Sequence, residues 1–188
     1  MSTLAKPYRL PVAIIAAGAM SALLAMGLRA SLGLYLKPMS LDLGWGREVF
    51  ALAIALQNLL WGAFQPFTAG IAEKFGTGRV VAVGGVLYAT GLYMMAETTD
   101  PLAFHFSAGL LIGMAQSGCA IGIVLSAVGR VLPEEKRSFG LGLVTALGAA
   151  GQFTVVPIGQ VLLDQYGWST SFLLLSMMAL GIILCAVF

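Results

Sequence analysis

The sequence predicts an all-helical membrane protein with six transmembrane helices, from its composition, its apolar runs and an internal repeat. Of its 188 residues, 59% are hydrophobic and 10% are charged, whereas about 25% of residues are charged in a soluble domain. Six apolar runs are each long enough to cross a bilayer as a helix. They cover approximately residues 10–36, 49–72, 80–96, 102–128, 139–163 and 170–188.

The turns between these runs are short, so residues 1–188 are predicted to form one six-helix bundle. The first run is longer than the apolar part of a signal peptide, which favours a retained helix. A net charge of +2 argues against a nucleic-acid partner. Cys119 and Cys185 lie inside apolar runs, and their spacing fits neither a disulfide framework nor a metal cluster. We therefore expect the lipid bilayer as a partner, and no cofactor or metal.

The stretch AGIAEKFGTGRV, residues 69–80, separates the second and third runs. Its charges are costly in hydrocarbon, so we expect a tight turn at the membrane surface. Gly76 and Gly78 suit positive φ angles and close backbone approach. Glu73, Lys74 and Arg79 can pair with one another and with helix ends.

An internal repeat relates the two halves of the chain at an offset of 91 residues, since 157−66, 164−73, 166−75 and 167−76 all equal 91. Because three helices separate the copies, the second copy is expected to be inverted in the membrane. The sequence thus predicts two three-helix repeats at about 10–96 and 102–188. The matched pairs are Pro66 and Pro157, Glu73 and Asp164, Phe75 and Tyr166, and Gly76 and Gly167.

Basic residues are distributed unequally between the two ends of the predicted helices. With odd-numbered helices running outward, seven bases fall inside and two fall outside. Since bases are enriched in cytoplasmic loops, we expect a cytoplasmic N-terminus, in a bacterial inner membrane. The inside set is Lys6, Arg9, Lys74, Arg79, Arg130, Lys136 and Arg137, and the outside set is Lys37 and Arg47.

The stretch at residues 69–80 resembles the loop signature G-x-x-x-D-R-x-G-R-R of the major facilitator superfamily. Ala69 stands in place of the first glycine, Glu73 of the aspartate and Lys74 of the arginine, while Gly76 is kept and Arg79 supplies the closing base. GLRASLGLYLKPM is similar to the first helix of the monocarboxylate and oxalate/formate antiporter-like branch, and LPEEKRSFGLGL to the family's fourth loop. Such transporters have twice as many helices, so the chain resembles their N-terminal half.

The resemblance implies secondary or facilitative transport of a small organic anion, a monocarboxylate or dicarboxylate, by alternating access. The substrate would lie between two six-helix bundles, so a second bundle is needed. It would be a second copy of this chain or a separate C-terminal half. The alternative is a truncated, inactive or structural half-transporter without transport of its own.

Arg29 falls within the first predicted helix and is the main candidate for substrate binding. A base within a membrane helix is expected to face the bundle interior or a water-filled path. Its guanidinium can hold a carboxylate with two parallel hydrogen bonds. Alternatively, Arg29 reaches the outer membrane surface or braces two helices.

Amide side chains in helices two, four and five are further candidates: Gln57, Asn58, Gln116 and Gln152. An unpaired amide in hydrocarbon costs several kcal/mol, so each needs a partner or water. The resemblance places these helices at the substrate cavity, where Gln116 and Gln152 are the two preferred candidates. Alternatively, these side chains form hydrogen bonds between helices. Tyr35 is expected to gate the outer mouth or to lie at the membrane interface.

The resemblance gives Glu73, Lys74, Gly76 and Arg79 a conformational role, in which they stabilise one state of the transport cycle, with Arg130 as a further partner. As an alternative, the charges merely anchor the topology. No carboxylate lies deep within a predicted helix, so a proton carrier is not expected on this chain, and exchange or facilitated diffusion is the simpler mechanism.

An intramembrane serine protease is excluded by the position of the single histidine. His105 lies twelve residues before Ser117 on the same predicted helix, about 18 Å away along its axis. It cannot serve Ser117 as a base. The three P-x-[DE]-x-x-[RK] repeats of mitochondrial-type carriers are missing as well. The chain is therefore not expected to be an enzyme.

Overall fold

The computed structural model describes residues 9–119 and 121–187, with side chains from Val12 onward. Within this part the chain is helical almost throughout and contains no strand. A short 3₁₀ turn, Leu32–Tyr35, follows the first helix, and a π-helical segment, His105–Leu111, interrupts the fourth apolar run. The α-helices are α1 (Arg9–Ser31), α2 (Leu36–Leu43), α3 (Arg47–Phe75), α4 (Thr77–Glu97), α5 (Pro101–Phe104), α6 (Ile112–Cys119), α7 (Ile121–Val131) and α8 (Glu134–Cys185).

Five helical segments of the described chain are long and apolar enough to cross a membrane. The prediction of an all-helical integral membrane protein is therefore confirmed. One boundary differs, because the polar stretch after the first run is helical up to Leu43 and turns only at Gly44–Gly46, where Gly44 has φ 67°. The segments are Val12–Leu43, Arg47–Phe75, Thr77–Glu97, Pro101–Val131 and Glu134–Cys185.

The last segment, α8, is too long for a single crossing. Its 52 residues would extend about 78 Å as a straight helix, against a hydrocarbon core of about 30 Å. Gly167 interrupts it with φ 74° and ψ 174°. The Tyr35 hydroxyl donates to the carbonyl of Gly159 (3.4 Å) and also hydrogen-bonds Ser171. In a straight helix these two partners would lie about 18 Å apart, so the arms 134–166 and 168–185 fold back at Gly167.

The two predicted turn glycines, Gly76 and Gly167, have similar backbone conformations. Gly76 has φ 94° and ψ 141° between α3 and α4, close to the values at Gly167. A positive φ with an extended ψ is essentially confined to glycine. The positive φ predicted for Gly76 is confirmed, and a single non-helical residue is enough to separate α3 from α4.

The positive φ expected at Gly78 is wrong, because this residue lies inside α4. The close backbone approach expected there is correct, since a Cβ atom on Gly78 would collide with the carbonyl oxygen of Ala186. The helix restarts directly after Gly76, so one glycine supplies the turn and the other supplies the space for a neighbouring chain segment.

The core lies where α1 and α4 pack against the two arms of α8, and it is built around the buried rings of Tyr35, Tyr88 and Phe172. On the other side, α3 packs against the π-helical segment and α6. At that contact a Cβ atom on Gly113 would lie 2.9 Å from the carbonyl oxygen of Gln57. Glycine therefore lets the two backbones touch, as is usual between membrane helices.

The turn at Gly167 gives a direct test of the fold. Gly167→Ala should destabilise the protein by about 1–3 kcal/mol, because an alanine is strained at this φ and ψ. Thermal unfolding in detergent measures the effect. Gly62→Ala is the matched control, since Gly62 lies inside α3 with open space around an added Cβ, and alanine favours helix. Equal melting temperatures for the two variants would contradict the turn.

Candidate functional site

Arg29 lies near the end of α1 and contacts two side chains of α3. Its Nη2 donates a hydrogen bond to Oδ1 of Asn58 at 2.7 Å, and its Cζ lies 5.1 Å from the ring centroid of Trp61. The Asn58 amide is itself oriented, because its Nδ2 donates to the carbonyl of Ile54 at 2.9 Å. Asn58 and Trp61 are three residues apart, so they share one face of α3. This face holds the guanidinium between a ring and an amide oxygen.

Some donors around this contact have no acceptor in the described structure. Nε of Arg29 and Nε1 of Trp61 are both buried without a hydrogen-bond partner, and so is Nε2 of Gln57. A small cavity of about 20 Å³ lies beside the first two. It is lined by Ala25, Met26, Arg29, Trp61, Gln116 and Ile121.

The positive charge of Arg29 is not neutralised by the described part of the chain. Its side-chain contacts are with a neutral amide and an indole ring, and no described carboxylate lies within the 4.0 Å of an ion pair. All eight carboxylates of the sequence are exposed in the structure and lie in turns or towards helix ends. A buried or partly buried charge needs a counter-charge or water. The arrangement is therefore suited to receiving an anion.

Gln116 and Gln152, both expected at the substrate cavity, are not hydrogen-bonded to each other, and their role at the cavity stays a prediction. Gln116 is buried, and its Nε2 donates to the Tyr88 hydroxyl at 3.4 Å, which in turn donates to the carbonyl of Ala25 at 3.4 Å. Gln152 is exposed. Its neighbour Gly151 packs directly against the backbone of Leu23 in α1, and this contact turns position 152 away from the core.

The other predicted site residues are divided between the core and the surface. Gln57 is 3% exposed, whereas Asn58 is exposed although it contacts Arg29. Tyr35 is not a gate at the outer mouth, since its side chain is fully buried between α1 and the two arms of α8. Its ring packs on Phe172 at 4.1 Å between centroids, so it supports the fold.

The charged residues at the α3–α4 turn do not pair with one another in this structure. Glu73 and Arg130 line the same cavity of about 180 Å³ without reaching ion-pair distance within the described chain. Lys74 lies with its Nζ 5.4 Å from the ring centroid of Phe75. Arg79 lines a separate apolar groove between α3, α4 and α6. Their conformational role stays a prediction, as does that of Gly76.

Trp61 is the site residue that sequence reasoning missed. Tryptophan is common in membrane helices near the interface, so its presence carries little information by itself. The helical spacing from Asn58 was the available signal, because residues i and i+3 lie side by side. Once Asn58 is assigned to the Arg29 site, Trp61 follows.

Comparison with known proteins assigns a family. Residues 18–188 match the Major Facilitator Superfamily. The chain is 32% identical over 171 residues to Monocarboxylate transporter 11 of Mus musculus, covering 86% of the chain and 36% of that protein. It is 29% identical over 139 residues to Monocarboxylate transporter 13 of Rattus norvegicus, covering 73% of the chain and 31% of that protein. For Monocarboxylate transporter 3 of Gallus gallus the values are 26% over 159 residues, 82% and 28%.

The chain thus spans about a third of the length of these relatives. They come from animals, and they give no support to the expected bacterial membrane. The match to the family extends over nearly the whole chain, and the relatives share one transporter name, which points to transport and away from enzyme activity. The chain belongs to the major facilitator superfamily and is similar to its monocarboxylate transporter branch.

Proposed function

We propose that this chain is one half of a transporter for small organic anions, in which Arg29 binds the anionic group of the substrate. The observation that carries the proposal is a guanidinium within a membrane-length segment whose described contacts are all neutral. The free-energy cost of inserting such a charged side chain at the centre of a membrane helix is about 2.5–3.5 kcal/mol. A carboxylate offsets this cost by accepting charge-assisted hydrogen bonds.

A carboxylate substrate also agrees with the neutral character of the rest of the site. Asn58, Trp61 and Gln116 add hydrogen-bonding groups without adding charge, and the relatives are named monocarboxylate transporters. The exposed positions of all carboxylates leave no proton carrier inside the described bundle. Exchange or facilitated diffusion is therefore the mechanism that this chain supports by itself.

The proposed topology has six crossings in two inverted repeats, with the N-terminus in the cytoplasm. The similar conformations of Gly76 and Gly167, 91 residues apart, support the repeats. The fold-back of α8 supports two crossings within this helix. The orientation rests on the count of basic residues, of which Lys6 and the side chain of Arg9 lie outside the described residues.

A second six-helix bundle would complete the site. In the most apolar part of the Arg47–Phe75 segment 17% of residues are buried, against 65% in the most apolar part of Pro101–Val131. The helix α3 is therefore the more exposed of the two. Asn58 on α3 and Gln152 on α8 are exposed polar side chains. A partner bundle over these helices would cover them and enclose the substrate. It would be a second copy of this chain or a separate C-terminal half.

Alternating access needs contacts that differ between two states. We propose that Glu73 and Arg130 pair in one state and separate in the other. They line a common cavity between α3 and α7, so a movement of these helices could bring them together. Lys74 and Arg79 would hold the α3–α4 turn at the membrane surface, and Gly76 would give the turn its backbone conformation.

The topology is tested by the side from which single cysteines react. In a variant without the two native cysteines, Lys74→Cys and Arg137→Cys should be labelled from the cytoplasmic side by a membrane-impermeant maleimide. Lys37→Cys and Gln165→Cys should be labelled from the opposite side. All four side chains are exposed. Labelling of Gln165→Cys from the cytoplasmic side would rule out the fold-back crossing.

The role of Arg29 is tested by lactate binding to the purified protein, measured by calorimetry. Arg29→Gln should weaken binding by about tenfold or more, because a hydrogen bond to a charged group contributes about 1.5–3 kcal/mol. Arg29→Lys should retain part of the affinity, since it keeps the charge but not the two-pronged geometry. Arg47→Gln, which removes an exposed base at the start of α3, is the control. Unchanged binding by a folded Arg29→Gln would reduce Arg29 to a structural role.

The pairing of Glu73 with Arg130 is tested by a double-mutant cycle on the rate of lactate exchange in proteoliposomes. Glu73→Gln and Arg130→Gln should each slow exchange, and the double variant should be no slower than either, since paired residues show coupling of about 0.5–3 kcal/mol. Glu48→Gln, at the opposite end of α3, should leave the rate unchanged. Additive effects would favour a role as topology anchors only.

A further inference from the structure

We infer that Trp61 is a second substrate-contacting residue, whose indole N–H donates to the carboxylate held by Arg29 and which makes the site specific for ionised, small monocarboxylates. This inference rests on the proposed function.

The guanidinium of Arg29 lies over the indole ring of Trp61. The Cζ atom of Arg29 lies 5.1 Å from the Trp61 centroid, within the range of an attractive cation–π contact. Asn58, one helical turn away on α3, holds Nη2. With one amino group and the ring contact fixed, the guanidinium loses rotational freedom before a ligand arrives, which lowers the entropy cost of binding.

Arg29 and Trp61 each have an N–H group that can donate a further hydrogen bond. Both Nε of Arg29 and Nε1 of Trp61 are buried and unpartnered in the described structure, and both side chains line the same cavity. Each buried, unsatisfied donor carries a desolvation cost of about 1–3 kcal/mol. One ligand that accepts from both removes two such costs. A carboxylate group has two oxygens and up to four acceptor positions.

The same donors determine which ionisation state of the ligand is favoured. Indole and guanidinium groups only donate hydrogen bonds. The O–H of a protonated acid can pair with neither of these two donors, whereas both oxygens of an ionised carboxylate can accept from them. These donors therefore favour the anion over the neutral acid, and over esters or amides of the same size.

The size of the cavity limits which ligands fit. A cavity of about 20 Å³ has room for roughly one water-sized group, which matches a carboxylate oxygen. The remainder of the substrate must extend out of the cavity. Ala25, Met26 and Ile121 form apolar walls, and none of them can pair with a second carboxylate. A monocarboxylate fits this arrangement better than a dicarboxylate.

The direct test is the indole ¹⁵N–¹H spectrum of the purified chain labelled at its three tryptophans, titrated with acetate. The Trp61 signal, assigned by its loss in Trp61→Phe, should shift as acetate binds. The Trp168 signal is an internal control, because its Nε1 already donates to Oδ2 of Asp42 at 2.7 Å. It should not move. Methyl acetate, a neutral compound of similar shape, should shift neither signal.

The matching affinity measurement separates the N–H group from the ring. Trp61→Phe keeps an aromatic face over Arg29 and should weaken acetate binding about tenfold. Trp61→Leu removes the face as well and should weaken it further. Trp168→Phe should bind like the unchanged protein. Malonate should bind more weakly than acetate to the unchanged protein, and Trp61→Phe should reduce the preference for acetate over methyl acetate.

The outcomes distinguish the inference from the proposed function. If Arg29→Gln loses acetate binding while the Trp61 signal stays still and Trp61→Phe binds normally, then Arg29 binds the anion and Trp61 does not. In that case the cavity holds a water molecule only. If acetate shifts no signal and does not bind, both proposals are overturned. The titration uses the unchanged protein, and where Trp61→Phe does not fold, the Trp61 signal is assigned by elimination with Trp45→Phe and Trp168→Phe.

Discussion

The constraint on which this structure depends is that hydrocarbon offers the backbone no hydrogen-bond partner. Each membrane segment must therefore satisfy its own N–H and C=O groups, and helix is the available solution. The chain meets this requirement so completely that only Gly76 separates α3 from α4, and only Gly167 interrupts the helical backbone of α8. Since a helix cannot reverse direction by bending, the reversals at Gly76 and Gly167 need backbone angles that glycine alone tolerates.

The same solvent decides how helices attract one another. Lipid tails are as apolar as leucine, so packing depends on close contact and on hydrogen bonds between helices. Gly113 meets the backbone of Gln57 for this reason, and Tyr35 ties three helical segments through one hydroxyl. Arg29 is an exception among these polar groups, because its charge lies inside a membrane-length segment and its side-chain contacts are neutral. An exception of this kind is where a ligand is to be sought.

Much of the fold was predictable from the sequence, because hydropathy reports the constraint just described. The helical segments and the turn at Gly76 were found in this way. The helical continuation of residues 36–43 was not, since its polar residues look like a loop when contacts are unknown. The site was predicted in part. A base in an apolar run singles out Arg29, but the pairing of Gln116 with Tyr88 depends on how α4 packs, and the exposure of Gln152 depends on the contact of Gly151 with α1. Neither leaves a pattern in the sequence.

The division of polar groups within the bundle has a consequence for the mechanism. The carboxylates of the chain are exposed, while the buried, unpartnered nitrogens near the cavity belong to Arg29 and Trp61 and can only donate. A site with hydrogen-bond donors and one fixed positive charge becomes neutral when an anion enters it. The loaded site therefore costs less free energy in a low-dielectric environment than the empty site. Under the function proposed above, this difference favours exchange of one anion for another over movement of the empty carrier. Under the same proposal, an acidic group for coupling to protons is expected from the second bundle, because the carboxylates of this chain are all exposed.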